Sequence, residues 1–341
     1  MHMADALLSP AVGLSMNAIA VVAIGTSVAK VKRDEFSEKK IPIMGVAGAL
    51  VFAGQMINFT IPGTGSSGHI GGGILLAGLV GAVPAFLAIS AVLIIQCLFF
   101  ADGGLLALGC NIFNLGIIPC LVIFPLIFRP LLRRGTDYKR LSLASILSVV
   151  VALQLGAFGV VVETLLSGIT ELPFATFLGL MLPIHLVIGV IEGIVTAGVL
   201  CFVYSMRAEI IEAQSLGKPI GGSTRKVLIA LAISTVIIAG GLSLVASTHP
   251  DGLEWAIGKT TEQSLGEETE LEGSGVIHEG AAEAQEKTSI LPDYGFGADP
   301  DNSLGTTVAG LVGAGITFLV AAATGIIISR VKKRRSVETD A

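Results

Sequence analysis

An all-α integral membrane protein, a bundle of about nine transmembrane helices, is the fold class this sequence predicts. Three observations predict it. Hydrophobic residues make up 52% of the 341 and charged residues only 14%, where soluble domains carry about 25% charged. The mean hydropathy is +0.83. Apolar runs of spanning length recur along the chain, and the basic residues gather in a few clusters between them.

Runs of about 20 apolar residues match a hydrocarbon core about 30 Å thick. They occur near 10–29, 41–58, 111–128, 142–167, 176–205, 226–247 and 305–329. The stretch 70–101 is too long for one upright span and short for two. Charge decides its path, because Lys and Arg concentrate in short cytoplasmic loops. Of the 21 basic residues, all but Lys259 and Lys287 fall in four clusters, beginning at Lys30, Arg129, Arg207 and Arg330. These share one side only if 70–101 crosses twice, turning near Pro84. The result is about nine spans, an outer N-terminus and a cytoplasmic tail, with the 70–101 pair short, tilted or shielded by neighbours.

The leading residues are not expected to be a cleavable signal, since no basic segment precedes the first apolar run. Met1 is expected to be retained, because a bulky second residue discourages its removal. Cys97, Cys110, Cys120 and Cys201 lie scattered in apolar segments without a CxxC pair, and read as small packing residues. Small residues repeat at four-residue spacing at Gly45, Ala49 and Ala53. That spacing permits close helix approach, either inside the bundle or on a face that docks a partner. Segment 248–304 carries thirteen acidic residues against two lysines. Its composition predicts a largely disordered stretch, a solvated linker or a device that concentrates cations, with His249 and His278 solvated. With its flanking helices it forms an appended two-span module from residue 222, leaving 1–221 as the main unit.

The start of the chain, Met1-His2-Met3, is a ready chelator. The α-amine, the deprotonated His2 amide and the His2 imidazole close two adjoining rings around one cation. Three nitrogens then share a plane, and tetragonal nitrogen sites favour divalent nickel or copper. His69, at the end of Pro62-Gly63-Thr64-Gly65-Ser66-Ser67-Gly68-His69, is the donor expected at the fourth corner. The predicted topology puts Met1, His2 and the 59–69 loop in the same outer compartment. Protons should compete with the metal near the ordinary ranges of the amine, about 7.7–8.0, and histidine, about 6.5. Within the membrane, His185 and Glu192 lie seven apart on one helix face. They read either as a structural polar pair or as a functional one.

Other chemistry is absent. The stretch Gly63–Ile70 nearly matches the phosphate-binding GxxxxGK[ST] pattern but lacks the lysine and the following hydroxyl. No nucleotide is expected to bind this chain. No HExxH, GxSxG or Ser/His/Asp grouping indicates an enzyme. The basic runs are membrane flanks without interleaved aromatics, so nucleic acid is not an expected partner.

The chain resembles the CbiM/NikM family, the substrate-specific S components of cobalt and nickel energy-coupling-factor transporters. Met1-His2 with Leu8-Ser9-Pro10, Gln55-Met56-Ile57-Asn58-Phe59, Ser67-Gly68-His69, Leu108-Gly109-Cys110-Asn111-Ile112-Phe113-Asn114 and His185 with Glu192 carry the resemblance. The appended module resembles the NikN type through Pro250-Asp251-Gly252-Leu253-Glu254 and Pro292-Asp293-Tyr294. Ala4-Asp5-Ala6-Leu7 departs from the family, which often reads Pro-Asp-Gly-Phe there. The resemblance implies seven spans plus two and a square-planar nickel or cobalt site at Met1, His2 and His69. It implies loop-holding roles for Asn58 and Ser67. It also implies a transmembrane coupling (T) subunit and cytoplasmic ATP-binding (A) subunits as partners in a prokaryotic cell membrane. Nickel is favoured over cobalt. The alternatives are a cobalt importer that supplies cobalamin synthesis, an ion-coupled secondary transporter, which would want paired intramembrane acids and repeat symmetry, and a metal-sensing receptor, which would want a cytoplasmic output domain.

Overall fold

The computed structural model describes residues 2–33, 40–218, 220–266, 271, 273–296 and 303–339. Helix α1 is Pro10–Arg33 and α2 is Lys40–Gln55. A hairpin follows, β1 (Phe59–Ile61) antiparallel to β2 (Ser66–Gly68), with Thr60 opposite Ser67. Then come α3 (Gly73–Val80), α4 (Ala82–Phe100), α5 (Leu108–Leu132), α6 (Tyr138–Ser167), α7 (Phe174–Met206) and α8 (Ala208–Ser215). The remaining helices are α9 (Arg225–Gly240), α10 (Gly252–Leu265), α11 (Val276–Thr288) and α12 (Ser303–Thr339).

Among the described residues, six helices are long and apolar enough to cross a membrane: α4, α5, α6, α7, Pro10–Val31 of α1 and Leu304–Ile327 of α12. Helix α2 is apolar but shorter, at 16 residues. Leu14, Val21, Leu126, Leu166 and Ile194 point outward and are exposed. In water so much apolar surface would drive association; in a bilayer it is the surface that lipid solvates.

The 70–101 stretch folds as two unequal arms. Helix α3 has 8 residues and α4 has 19, and the chain reverses at Gly81, with Pro84 already inside α4. At 1.5 Å per residue α3 rises only about 12 Å, well short of a span. Non-helical backbone at 69–72 joins it to β2, and Ser66, Ser67 and His69 are buried by the surrounding protein. Helix α5 is π-helical through Phe113–Phe128, which contains Pro119 and Pro125. Each proline lacks an N–H and crowds the preceding turn, and the wider winding accommodates both.

Small residues set the helix contacts. Gly189 and Gly193 of α7 face α6, where a Cβ on Gly193 would lie 2.8 Å from the Ile146 Cα. Helix α12 lies along α2, with Phe318 over Gly45 and Thr317 over Gly48. Ala49 and Ala53 are buried as well. The small-residue stripe is therefore taken up inside the chain, not left as a docking face.

The acidic segment departs from the sequence expectation. Among its described residues, α10, α11 and a 3-10 turn at Pro292–Tyr294 form. Counting charge missed the buried positions Leu253, Ala256 and Leu291. It also missed a capping box, in which the Asp251 carboxylate accepts from the Leu253 and Glu254 N–H groups and Glu254 accepts from the Asp251 N–H. Such a box satisfies orphan donors at a helix start. His278 is buried, not solvated, with Nε2 2.9 Å from the Leu8 carbonyl.

A Cβ on Gly313 of α12 would lie 2.0 Å from the Phe52 ring. Gly313→Leu should therefore destabilise the docked helix by about 1–3 kcal/mol, the usual cost of overpacking. Thermal melting of the detergent-solubilised protein reads this as a lowered midpoint; an unchanged midpoint would contradict the packing of α12 on α2.

Candidate metal centre

Met1 lies outside the described residues. From His2 onward the N-terminal strand runs into a slot between α4 and α5. The Met3 N–H donates to Asn111 Oδ1 at 2.7 Å, and Asn111 Nδ2 donates back to the Met3 carbonyl at 3.2 Å. The Gly104 N–H reaches the same carbonyl at 2.9 Å. Asp5 accepts from the Ala107 N–H at 2.8 Å, so the Ala4–Leu7 departure keeps its anchoring carboxylate. Gly103 sits at φ +81°, and a Cβ there would lie 2.8 Å from Asn111 Nδ2 and 3.3 Å from the His2 Cβ. Only glycine meets both demands.

The β-hairpin delivers His69 to the same place. Below it, Gln55 Nε2 donates to the Gly71 carbonyl and the Gly72 N–H donates to Glu192 Oε1, each at 2.9 Å. The His2 and His69 rings stack, with centroids 5.1 Å apart and planes 6° apart. They line a cavity of about 540 Å³ shared with Gln55, Asn58, Asp102 and Asp251.

Electrostatics keep His69 neutral. Burial, reinforced by the neighbouring His2, lowers its pKa to about 3. Protons therefore compete at this imidazole far below the ordinary histidine range that the sequence suggested. His2 Nδ1 lies 3.0 Å from Asp102 Oδ1, and the Tyr294 hydroxyl donates to Asp102 Oδ2 at 2.5 Å. Burial pushes the Asp102 carboxyl up, but His2 and the Tyr294 hydrogen bond outweigh it and hold the group well below the usual carboxylate range. Burial and the Asp102 charge push the Tyr294 phenol well above its ordinary value, so it stays a donor.

The appended module closes one wall. Ser67 Oγ donates to the His249 carbonyl and the Ser67 N–H to the Pro250 carbonyl, each at 2.8 Å. The Ser247 N–H donates to the Asn58 carbonyl at 2.7 Å, and Trp255 Nε1 donates to the Thr64 carbonyl at 2.9 Å. Asp251, capping α10 through one oxygen, turns the other toward His69 Nε2 at 3.8 Å. A Cβ on Gly252 would lie 2.8 Å from Ile188 and 3.2 Å from the His185 ring. In Pro250-Asp251-Gly252-Leu253-Glu254, then, the proline carbonyl takes up the hairpin, the acids make the helix cap, the glycine admits α7 and the leucine is buried.

The structure thus brings His2 and His69 together and sets Ser67 and Asn58 at the hairpin's contacts with the module. His185 and Glu192 both face the loop from α7, beneath the cavity. Sequence reasoning gave no site role to Asp102, Asn111, Asp251, Tyr294 or Glu163. A lone acid in Ala101-Asp102-Gly103-Gly104, a polar break between apolar runs, was the available signal for the first. Among the described residues no three His, Cys, Asp or Glu side chains converge as a metal cluster.

Comparison with known proteins follows the same division. Residues 2–210 match a family model described as CbiM, cobalt uptake substrate-specific transmembrane region. Residues 225–330 match the PDGLE domain. A chain of Archaeoglobus fulgidus with the provisional name fused nickel transport protein NikMN is 31% identical over 327 residues, covering 93% of this chain and 96% of that one. The cobalt transport protein CbiM of Geobacter sulfurreducens is 26% identical over 58% of this chain and 60% of its own. A solved structure described as a truncated transition metal transporter superposes with a TM-score of 0.53, at 28% identity, covering 60% of this chain and 99% of that one. Fold and relatives together define a multi-pass membrane protein of metal transport. The chain belongs to the CbiM family and carries a PDGLE domain fused behind it.

Because the folded pKa of His69 lies below that of a free histidine, an unfolded chain binds a proton that the folded one refuses between about pH 6.5 and the folded value. Stability from this group is complete above that window and falls as pH drops through it. Melting of the metal-free protein should show this slope and His69→Asn should flatten it; an equal slope in the variant would contradict a buried, neutral His69.

Proposed function

We propose that this chain is the metal-capturing S component of an energy-coupling-factor importer, with nickel favoured over cobalt as substrate. The single observation that carries this reading is the pair of stacked imidazoles of His2 and His69 in one buried cavity, 67 positions apart in the chain. The metal is held in a plane by the Met1 amine, the His2 amide and imidazole, and His69. The two-ring chelate uses the His2 Nδ1, the ring nitrogen nearer the backbone. Loading therefore exchanges the Asp102 hydrogen bond of that nitrogen for the metal. A planar nitrogen set disfavours zinc, which prefers a tetrahedron, more than copper, which leads the affinity order.

The finer architecture belongs to the same reading. The family matches support a main unit at 1–221 and a NikN-like unit at 222–341. The basic clusters support about nine crossings with the N-terminus outside and the tail in the cytoplasm. A coupling T subunit and ATP-binding A subunits supply the energy, and this chain binds no nucleotide. The appended module caps the site and presents Asp251 beside His69. The alternative is an importer of the same type with cobalt as its substrate, and the cobalt transport relative supports it.

Nickel titration calorimetry on the purified full chain tests this. An uncleaved extension before Met1 should abolish binding. His69→Ala should weaken it by at least about tenfold, since even partners outside the coordination shell cost that much. Undiminished nickel affinity in the extended protein would overturn the amine's role.

A further inference from the structure

A second polar cavity lies at the other end of the bundle. The cavity of His2 and His69 is built before α1 and α5 and after α2 and α4. The second is built at the opposite ends of the same four helices, from Lys30 of α1, Lys40 of α2, Pro84 of α4 and Arg129 of α5. Its volume is about 290 Å³. Ligand pockets begin at about 300 Å³, so the space suits one small polar group.

Charge marks this cavity out. Three cations from three helices line it, and among the described residues no Asp or Glu does. Residues 34–39, which join α1 to α2, lie outside the described residues. Among the described residues Lys30, Lys40 and Arg129 enter no ion pair.

One of the three cations is held in place. Gln214 of α8 is buried, and its Nε2 donates to the Ile210 carbonyl at 3.3 Å. That leaves Oε1 for Lys40, whose Nζ donates to it at 2.8 Å. A Cβ on Gly81, in the turn between α3 and α4, would lie 2.9 Å from the same Oε1 and 3.9 Å from Nζ. An ammonium carries three donors. Gln214 takes one and leaves two for a ligand. Lys30 and Arg129 are exposed at the rim, and a guanidinium fork fits a phosphate with two parallel hydrogen bonds.

The walls between the cations are apolar and include Val31, Val83, Phe124 and Pro125. On α5 the exposed Val122 and Leu126 lead toward Arg129, so the cavity opens beside surface that lipid solvates. Cations above an apolar wall match an amphiphile better than a free anion, which would gain nothing from the wall. The cations also come from two of the basic clusters, which the topology puts in the cytoplasm. The cytoplasmic leaflet carries anionic lipid, and basic pockets between spanning helices on that side hold anionic headgroups.

We propose that this cavity binds the phosphate of an anionic phospholipid, with Lys40 and Arg129 as the main contacts, Lys30 beside them and the acyl chains on the outer face of α5. The headgroup ties the ends of α1, α2 and α5 together. The site stands apart from the metal cavity and needs no metal.

Native mass spectrometry of the detergent-purified full chain, titrated with phosphatidylglycerol, phosphatidylcholine or inorganic phosphate, tests this. Phosphatidylglycerol should bind at least about fivefold more tightly than the zwitterionic lipid. Lys40→Gln and Arg129→Gln should each weaken it about fivefold, the equivalent of about 1 kcal/mol per cation at an anionic membrane surface. Lys40→Arg should keep the preference, which separates lost charge from lost packing. Lys287→Gln, in the acidic segment, should leave it unchanged. If Lys40→Gln fails to fold, the exposed Arg129 carries the test. Equal affinity for the two lipids would overturn the proposal, and so would a preference that survives in the glutamine variants. If those variants kept the lipid and instead released a copurifying protein, the cations would belong to a protein interface and the lipid site would be refuted. Displacement of phosphatidylglycerol by inorganic phosphate at equal concentration would also overturn it, in favour of a free phosphate.

Discussion

The contact between the His2 and His69 rings is the constraint on which the rest of the structure depends. One ring arrives on the leading strand, the other on a hairpin after the second helix. Both segments are short, a two-stranded hairpin and a 3-10 turn, and lean on neighbours to hold their place. The leading strand borrows the Asn111 amide, which grips the Met3 peptide from both sides. The hairpin borrows Ser67, Asn58 and Trp255 contacts to the appended module. What would be loose ends elsewhere are fixed here by hydrogen bonds from elements distant in the chain.

Burial explains much of the unusual backbone. Non-helical chain inside the protein must find partners for its peptide groups, because unpaired ones are costly. The solution is a half-length α3 fed by the buried segment 66–72, whose peptides pair with Gln55 and Glu192. Gly72, at φ +77° with a Cβ position only 2.4 Å from Val51, shows how little room is left. The hydrogen bond from the Gly72 N–H to the Glu192 carboxylate ties the loop that carries His69 to α7.

Much of this was legible in the residues. Apolar runs located the long helices, the clustering of basic residues required 70–101 to double back, and the chelating start of the chain pointed to His69. Other features were not legible, for physical reasons. An eight-residue apolar helix looks the same in sequence as part of a longer span, so the half-length of α3 was hidden. Charge density outweighed spacing in segment 248–304, although Asp251 and Glu254 stand at capping-box positions three apart. Asp102 and Tyr294 lie 192 positions apart and acquire a role only by meeting over His2. Glu163, inside the apolar run 142–167, meets Asn114 only once the helices pack, 49 positions away in the chain.

X-ray absorption on the nickel-loaded full chain with its native N-terminus tests the central claim most directly. Four nitrogen neighbours in a square plane, with imidazole scattering from two rings, is the spectrum that His2 and His69 predict together with a backbone amide and the leading amine. A six-coordinate, oxygen-rich shell, or scattering from a single imidazole, would contradict it.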